Sequence, residues 1–223
     1  MRTLAIFDFD FTLGDSSDAI VECMNYALGE MGHPAQSPEA IRPTIGMSLR
    51  IPLAMFTGDE DPAHGDEFIR LFRVRADQIM AGMTHLYPGA ADLLAGLRSD
   101  GCRTAVLTTK YHRGIQRILE RCGVADQVDL IVGSDEVALP KPDPEGARIV
   151  LSHFGCPPAD ALYVGDSVTD ARTAEAAGID FVGVTTGTTA ADELAACPHV
   201  AILERVADLR RVPGLGLGPV PGA

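Results

Sequence analysis

Asp8 and Asp10 stand one residue apart at the end of the apolar run Leu4 to Phe7. Two carboxylates at that spacing can divide a substitution at phosphorus between them. Asp8 needs no deprotonation at neutral pH to act as a nucleophile, and its attack would give an aspartyl-phosphate. Asp10 can protonate the leaving alkoxide and then activate water against the acyl-phosphate. Thr108, Thr109 and nearby backbone amides can bind the equatorial oxygens, and Lys141 can neutralise their charge. Mg²⁺ prefers one or two protein carboxylates, a phosphate oxygen and retained waters, which Asp8, Asp166 and a backbone carbonyl at Asp10 can complete. Each residue has an ordinary alternative: Thr108 as a turn hydroxyl, Lys141 as a solvated loop charge, Asp166 and Asp170 as acids favoured at a helix N-terminus. Those alternatives are plausible singly and poor jointly.

The residues meet only if the strands bearing them run parallel and end on one edge. Leu4 to Phe7 has the continuous apolar pattern of a strand covered on both faces. After Gly89, expected helices over 90–99, 113–121, 144–154 and 169–177 alternate with strands over 104–107, 130–132, 161–164 and 181–184, and 199–203 adds an edge strand. The four helices close on Gly101, Gly123, Gly155 and Gly178, a residue that takes the left-handed C-cap conformation without a Cβ penalty. This alternation is the signature of right-handed βαβ units, whose ligands bind beyond the carboxyl ends of the strands. The strand over 104–107 runs into Thr108-Thr109-Lys110, that over 130–132 leads to Lys141-Pro142-Asp143, and that over 161–164 runs into Gly165-Asp166-Ser167 and on to Asp170.

Between Asp15 and His85 the period changes. Ala19, Ile20, Cys23, Met24, Ala27, Leu28 and Met31 form one helical stripe, with Ser16 and Ser17 available as N-caps and Gly32 and Pro34 ending it. Helical patches follow over 45–56 and 67–80, and no strand is expected. The fold class expected is α/β: a Rossmann-like parallel-sheet core over residues 1–14 and 86–212, an all-helical insertion over 15–85, and a disordered tail over 213–223.

Asp8-Phe-Asp-Phe-Thr-Leu13, Thr108, Lys141-Pro142 and Gly165-Asp-Ser-Val-Thr-Asp170, in that order, resemble the four motifs of the haloacid dehalogenase superfamily of phosphatases. The resemblance runs to about Val212. It implies Asp8 as nucleophile, Asp10 as acid/base, Asp166 as a metal ligand, Asp170 as a supporting acid near the metal, and the helical insertion as a small cap that closes over the site. The metal set expected is therefore Asp8, Asp10, Asp166 and Asp170, with Mg²⁺ as cofactor. Ile41-Arg-Pro-Thr-Ile-Gly46, Tyr87-Pro-Gly89 and Val106-Leu-Thr-Thr-Lys110 are similar to the phosphoglycolate phosphatase branch, which makes phosphoglycolate the leading substrate. Arg42, in the first of these segments, is the cap cation expected to meet a substrate carboxylate. Phe11 departs from the pattern, which usually has Gly there; its benzyl group must pack under the cap or narrow the substrate entrance.

Composition narrows the partners. A formal net charge of −13 repels nucleic acid and anionic membranes, and no apolar run approaches the roughly 18 residues that span a bilayer. Five scattered cysteines without a C-x-x-C pair fit a reducing cytosol, and six histidines without ligand spacing give no zinc site. A chain beginning directly on a strand, without a leader, is expected to be cytoplasmic, a monomer or homodimer acting on a small phosphorylated metabolite. A hydrolytic dehalogenase would lack the second Asp, and a phosphonate-cleaving relative would need a cap lysine, whereas none lies between Asp15 and His85. A sugar phosphomutase and a non-catalytic binding protein on the same scaffold remain as alternatives.

Overall fold

The computed structural model describes residues 2–212; the tail expected to be disordered lies outside them. In chain order the strands and α-helices are β1 (Leu4–Phe7), β2 (Gly14–Asp15), α1 (Ser17–Glu30), α2 (Pro38–Ile41), α3 (Arg50–Thr57), α4 (Pro62–Met83), β3 (His85–Leu86), α5 (Ala90–Ser99), β4 (Arg103–Leu107), α6 (His112–Arg121), β5 (Leu130–Val132), α7 (Glu145–Phe154), β6 (Ala161–Gly165), α8 (Val168–Ala177), β7 (Asp180–Val184), α9 (Ala191–Ala195) and β8 (Ala201–Leu203). The chain divides into two compact units: residues up to Gly14 together with those from Leu86 onward, and Asp15–His85.

The first unit is built on a six-stranded sheet in the order β5-β4-β1-β6-β7-β8, parallel throughout. β1 sits inside it because all four of its side chains are apolar and buried, as a strand with helices over both faces requires. Leu4, Ile6, Ala105, Leu107, Tyr163 and Phe181 belong to one core cluster, with Ala147, Val150 and Ala171 from the covering helices. Gly101, Gly123, Gly155 and Gly178 all take positive φ at the helix ends, as expected. The edge strand expected over 199–203 is β8, beside β7.

The second unit is helical. The stripe expected on α1 is buried from Ala19 to Leu28, and α1 packs along α4. Three details differ from the sequence reading. Neither Ser16 nor Ser17 caps α1 with its side chain; the Asp15 carboxylate accepts from the Ser17 amide at 2.8 Å instead. The patch expected over 45–56 is α3, which starts only at Arg50, after the short α2 and a 3₁₀ turn over Arg42–Thr44. α4 begins five residues earlier than expected, at Pro62, because Asp61 caps it through the Ala63 amide and Pro62 occupies the first turn.

Candidate active site

The register of β1 against β4 and β6 pairs Phe7 with Val106 and with Val164, so Asp8, Thr108 and Asp166 leave the sheet at one edge. The Asp8 amide donates to the Val164 carbonyl and the Thr108 amide to the Val132 carbonyl, carrying the pairing one residue beyond the strands. Lys141 arrives from the loop after β5. It is no solvated loop charge: its side chain is 7% exposed, and Nζ donates to Asp8 Oδ1 at 2.9 Å and to Asp170 Oδ1 at 2.7 Å, with the Leu107 carbonyl at 3.4 Å.

Asp170 joins the site to the start of α8. Its Oδ2 accepts from the Ser167 amide and hydroxyl while Ser167 Oγ accepts from the Asp170 amide, a reciprocal capping box. Its Oδ1 accepts from Lys141 and from the Tyr163 hydroxyl at 3.2 Å. Asp170 thus caps α8 with one oxygen and contacts Lys141 with the other. Asp166 Oδ1 accepts from the Thr12 hydroxyl at 3.3 Å. Thr108 is a turn hydroxyl, accepting from the Lys110 amide at 3.1 Å, which leaves its own proton to donate elsewhere. Thr109 follows, part-buried, on the same loop.

Two lysines divide the first two aspartates between them. Lys110 Nζ lies 2.8 Å from Asp10 Oδ2, with side chains 12% and 8% exposed. Asp10 Oδ1 is buried without a hydrogen-bond partner. Lys110 carries no role in the sequence reading, although it stands in the quoted motif; the clue was the scarcity of lysine in the chain. Tyr163 and Thr12 were also missed, one inside an apolar strand and the other inside a motif whose aspartates drew attention.

The turn after β1 is tight. The Phe9 carbonyl accepts from the amides of Thr12, Leu13 and Gly14, and Phe11 takes φ 59°. That left-handed value accounts for a preference for Gly at this position, since a Cβ there clashes with the following carbonyl. The Phe11 side chain is buried, and its carbonyl accepts from the Thr186 hydroxyl. Arg42 lies in the helical unit, where Nη2 pairs with Asp18 Oδ1 at 2.7 Å, both exposed.

With all four buried carboxylates ionised, two ammonium groups would leave two negative charges uncompensated. Burial pushes Asp8 up from 3.8 to about 7; Lys141 pulls against this, and Asp170 and Asp10 push with it. Asp166 lies well above its ordinary value, first through burial and then through Asp170 and Asp8. Burial alone would lower Lys141, but Asp170 and Asp8 outweigh it and hold the ammonium well above its ordinary value. Oxygen atoms of Asp8, Asp166 and Asp170 lie within 4.8 Å of one another. Hard oxygen donors with two surplus negative charges fit a divalent cation such as Mg²⁺.

Residues 5–184 match the family described as haloacid dehalogenase-like hydrolase. The chain is 34% identical over 223 residues to the phosphoglycolate phosphatase of Rhodobacter capsulatus, covering 96% of this chain and 97% of that protein. It is 28% identical to the pyrophosphatase PpaX of Bacillus velezensis, covering 96% and 97%. A crystal structure from Bacteroides fragilis, described as a haloacid dehalogenase-like hydrolase, superposes with a TM-score of 0.90 at 36% identity, covering 94% of this chain and all of that one. No helix among the described residues is long and apolar enough to cross a membrane.

Proposed function

The chain belongs to the haloacid dehalogenase-like hydrolases and is a phosphatase, and on that premise we propose that it hydrolyses a small phosphomonoester, phosphoglycolate foremost, by way of a phosphorylated Asp8. Lys141 fixes one oxygen of Asp8, which orients the carboxylate for in-line attack on phosphorus. The new oxygen–phosphorus bond forms as the ester bond breaks, and the electron pair leaves with the alkoxide, which takes a proton from Asp10. Asp10 then accepts a proton from water as that water attacks phosphorus, releasing phosphate and restoring the Asp8 carboxylate. Thr108, with its free hydroxyl proton, and Lys141 hold the equatorial oxygens, and Lys110 orients Asp10. Mg²⁺, held by Asp8, Asp166 and the Asp10 carbonyl, would supply Lewis-acid stabilisation of the phosphoryl charge. Asp170, with its oxygens engaged by Lys141, Tyr163 and Ser167, serves that set through Lys141.

The observation that supports this reading most is the pair of buried ion pairs, Asp8 with Lys141 and Asp10 with Lys110, beside Thr108 and Asp166 on one sheet edge. We assign residues 15–85 the part of a cap that selects the leaving group, with Arg42 its cation for a substrate carboxylate and Phe11 a limit on substrate size. The test is phosphate release with Mg²⁺ across phosphoglycolate, pyrophosphate and several sugar phosphates, with a sugar bisphosphate added to reveal mutase turnover. The highest kcat/KM is expected on phosphoglycolate. Isomerised sugar phosphate in place of free phosphate would favour a mutase, and no turnover on any ester would favour a binding protein.

A further inference from the structure

Outside the four motifs, the loop that follows β7 reaches the site twice. Thr185 anchors it, its amide donating to the Leu203 carbonyl at 2.9 Å. The Thr186 hydroxyl donates to the Phe11 carbonyl, in the turn that carries Asp10 and Thr12. Gly187 lies against the other side of the site: a Cβ there would sit 1.9 Å from Asp166 Oδ2 and 2.7 Å from its Cγ. The φ of Gly187 is outside the left-handed region, so glycine is required here for space and not for its backbone conformation. Asp166 is therefore set from two directions, by the Thr12 hydroxyl on Oδ1 and by bare backbone against Oδ2.

We infer that Thr186 and Gly187 are positioning residues for the cation site, Gly187 by holding the Asp166 carboxylate in place and Thr186 by holding the turn from Asp8 to Leu13 through the Phe11 carbonyl. The inference rests on the Mg²⁺ reading above, yet it concerns residues of this chain that touch neither substrate nor cation. A group that orients a metal ligand typically changes metal affinity about 10- to 100-fold when altered. A methyl group at 187 must turn the Asp166 carboxylate or move the loop, since at 1.9 Å from Oδ2 and 2.7 Å from Cγ the two cannot both stay where they are. Loss of the Thr186 hydroxyl frees the Phe11 carbonyl in a turn whose left-handed residue is not glycine.

The experiment is Mg²⁺ titration calorimetry on the full chain, with the Tm of the metal-free protein measured alongside. Gly187→Ala is expected to weaken Mg²⁺ binding about 10- to 100-fold, Thr186→Val about 10-fold, and Thr186→Ser by less than about threefold because it keeps the donor. Unchanged Mg²⁺ affinity in Gly187→Ala and Thr186→Val, with or without a lower metal-free Tm, would overturn the inference and leave these residues as packing alone. If Gly187→Ala does not fold, the Val and Ser variants at 186 decide, and equal affinities in the two overturn the role of Thr186. Wild-type protein that binds no Mg²⁺ would overturn both this inference and the metal reading beneath it. Wild-type binding with indifferent variants would overturn this one alone.

Discussion

Withholding Mg²⁺ should make the protein's stability fall as pH rises, and the Asp8 carboxyl sets the size of the fall. Its folded pKa of about 7 lies above its ordinary 3.8. The stability it contributes is therefore fully present below pH 3.8, where folded and unfolded chains both hold the proton, and is lost as pH rises through about 7. A shift of about three units at about 1.4 kcal/mol each gives about 4 kcal/mol, or roughly 8–16 °C in Tm for a chain of this size. Asp166, raised in the same direction, adds to the fall. The assay is thermal unfolding in EDTA at a series of pH values, repeated with saturating Mg²⁺ and with Asp8→Asn. Wild-type Tm should fall toward alkaline pH in EDTA, the Asn variant should fall less, and Mg²⁺ should stabilise the wild type more at about pH 8 than at about pH 5, because protons and the cation compete for the same carboxylates. Parallel pH profiles for wild type and Asp8→Asn in EDTA would refute the reasoning.

Asp8→Asn should remove phosphatase turnover and keep the fold, since the amide has the shape but not the nucleophile; appreciable activity in the purified variant would sink the assignment. Asp10→Asn should trap acid-labile phosphate on Asp8 with a good leaving group, and its absence would count against the acid-then-base role. Phe11→Gly relieves about 1–2 kcal/mol of left-handed strain but loses about 2–3 kcal/mol of burial and about 1 kcal/mol of backbone entropy, so a net loss of about 1–3 kcal/mol should appear as a lower Tm. If that variant also accepts bulkier esters at an undiminished rate on the smallest, Phe11 is a steric gate; an unchanged ester range makes it core packing. Arg42→Ala should raise KM for phosphoglycolate by the equivalent of about 1–2.5 kcal/mol, a charged hydrogen bond less the small cost of leaving exposed Asp18, with a carboxylate-free ester nearly unchanged. Equal losses on both esters would point to a general defect instead.

The sheet was legible in the sequence because each strand is a short apolar run followed by polar residues and α5 to α8 each close on glycine. Asp8, Thr108, Lys141 and Asp166 were legible for a related reason: a parallel sheet brings the ends of its strands to one edge whatever lies between them in the chain. What escaped were the contacts between loops. Lys110 against Asp10, Tyr163 against Asp170 and Thr186 against the Phe11 carbonyl depend on side-chain reach across strand ends, which no periodicity encodes. In the helical unit the short α2 and the early start of α4 rest on local caps, Ser37-Pro38 and Asp61-Pro62, which an apolar period does not reveal, and the 3₁₀ turn at Arg42 has no side-chain cap to announce it.

The place of β1 in the sheet bears on how the protein is made. β1 is flanked by β4 and β6, so its two neighbours come from far later in the chain. On a ribosome adding ~5–20 residues per second, the gap of roughly 150 residues before β6 corresponds to about 8–30 s in which the first strand lacks a partner on one side. The helical unit, whose contacts are local, can form during that wait, while the apolar Leu4–Phe7 segment stays exposed. A synthesis stalled before Ala161 would therefore leave a nascent chain with a finished helical unit and a sticky strand open on one edge, a natural client for a chaperone at the ribosomal exit.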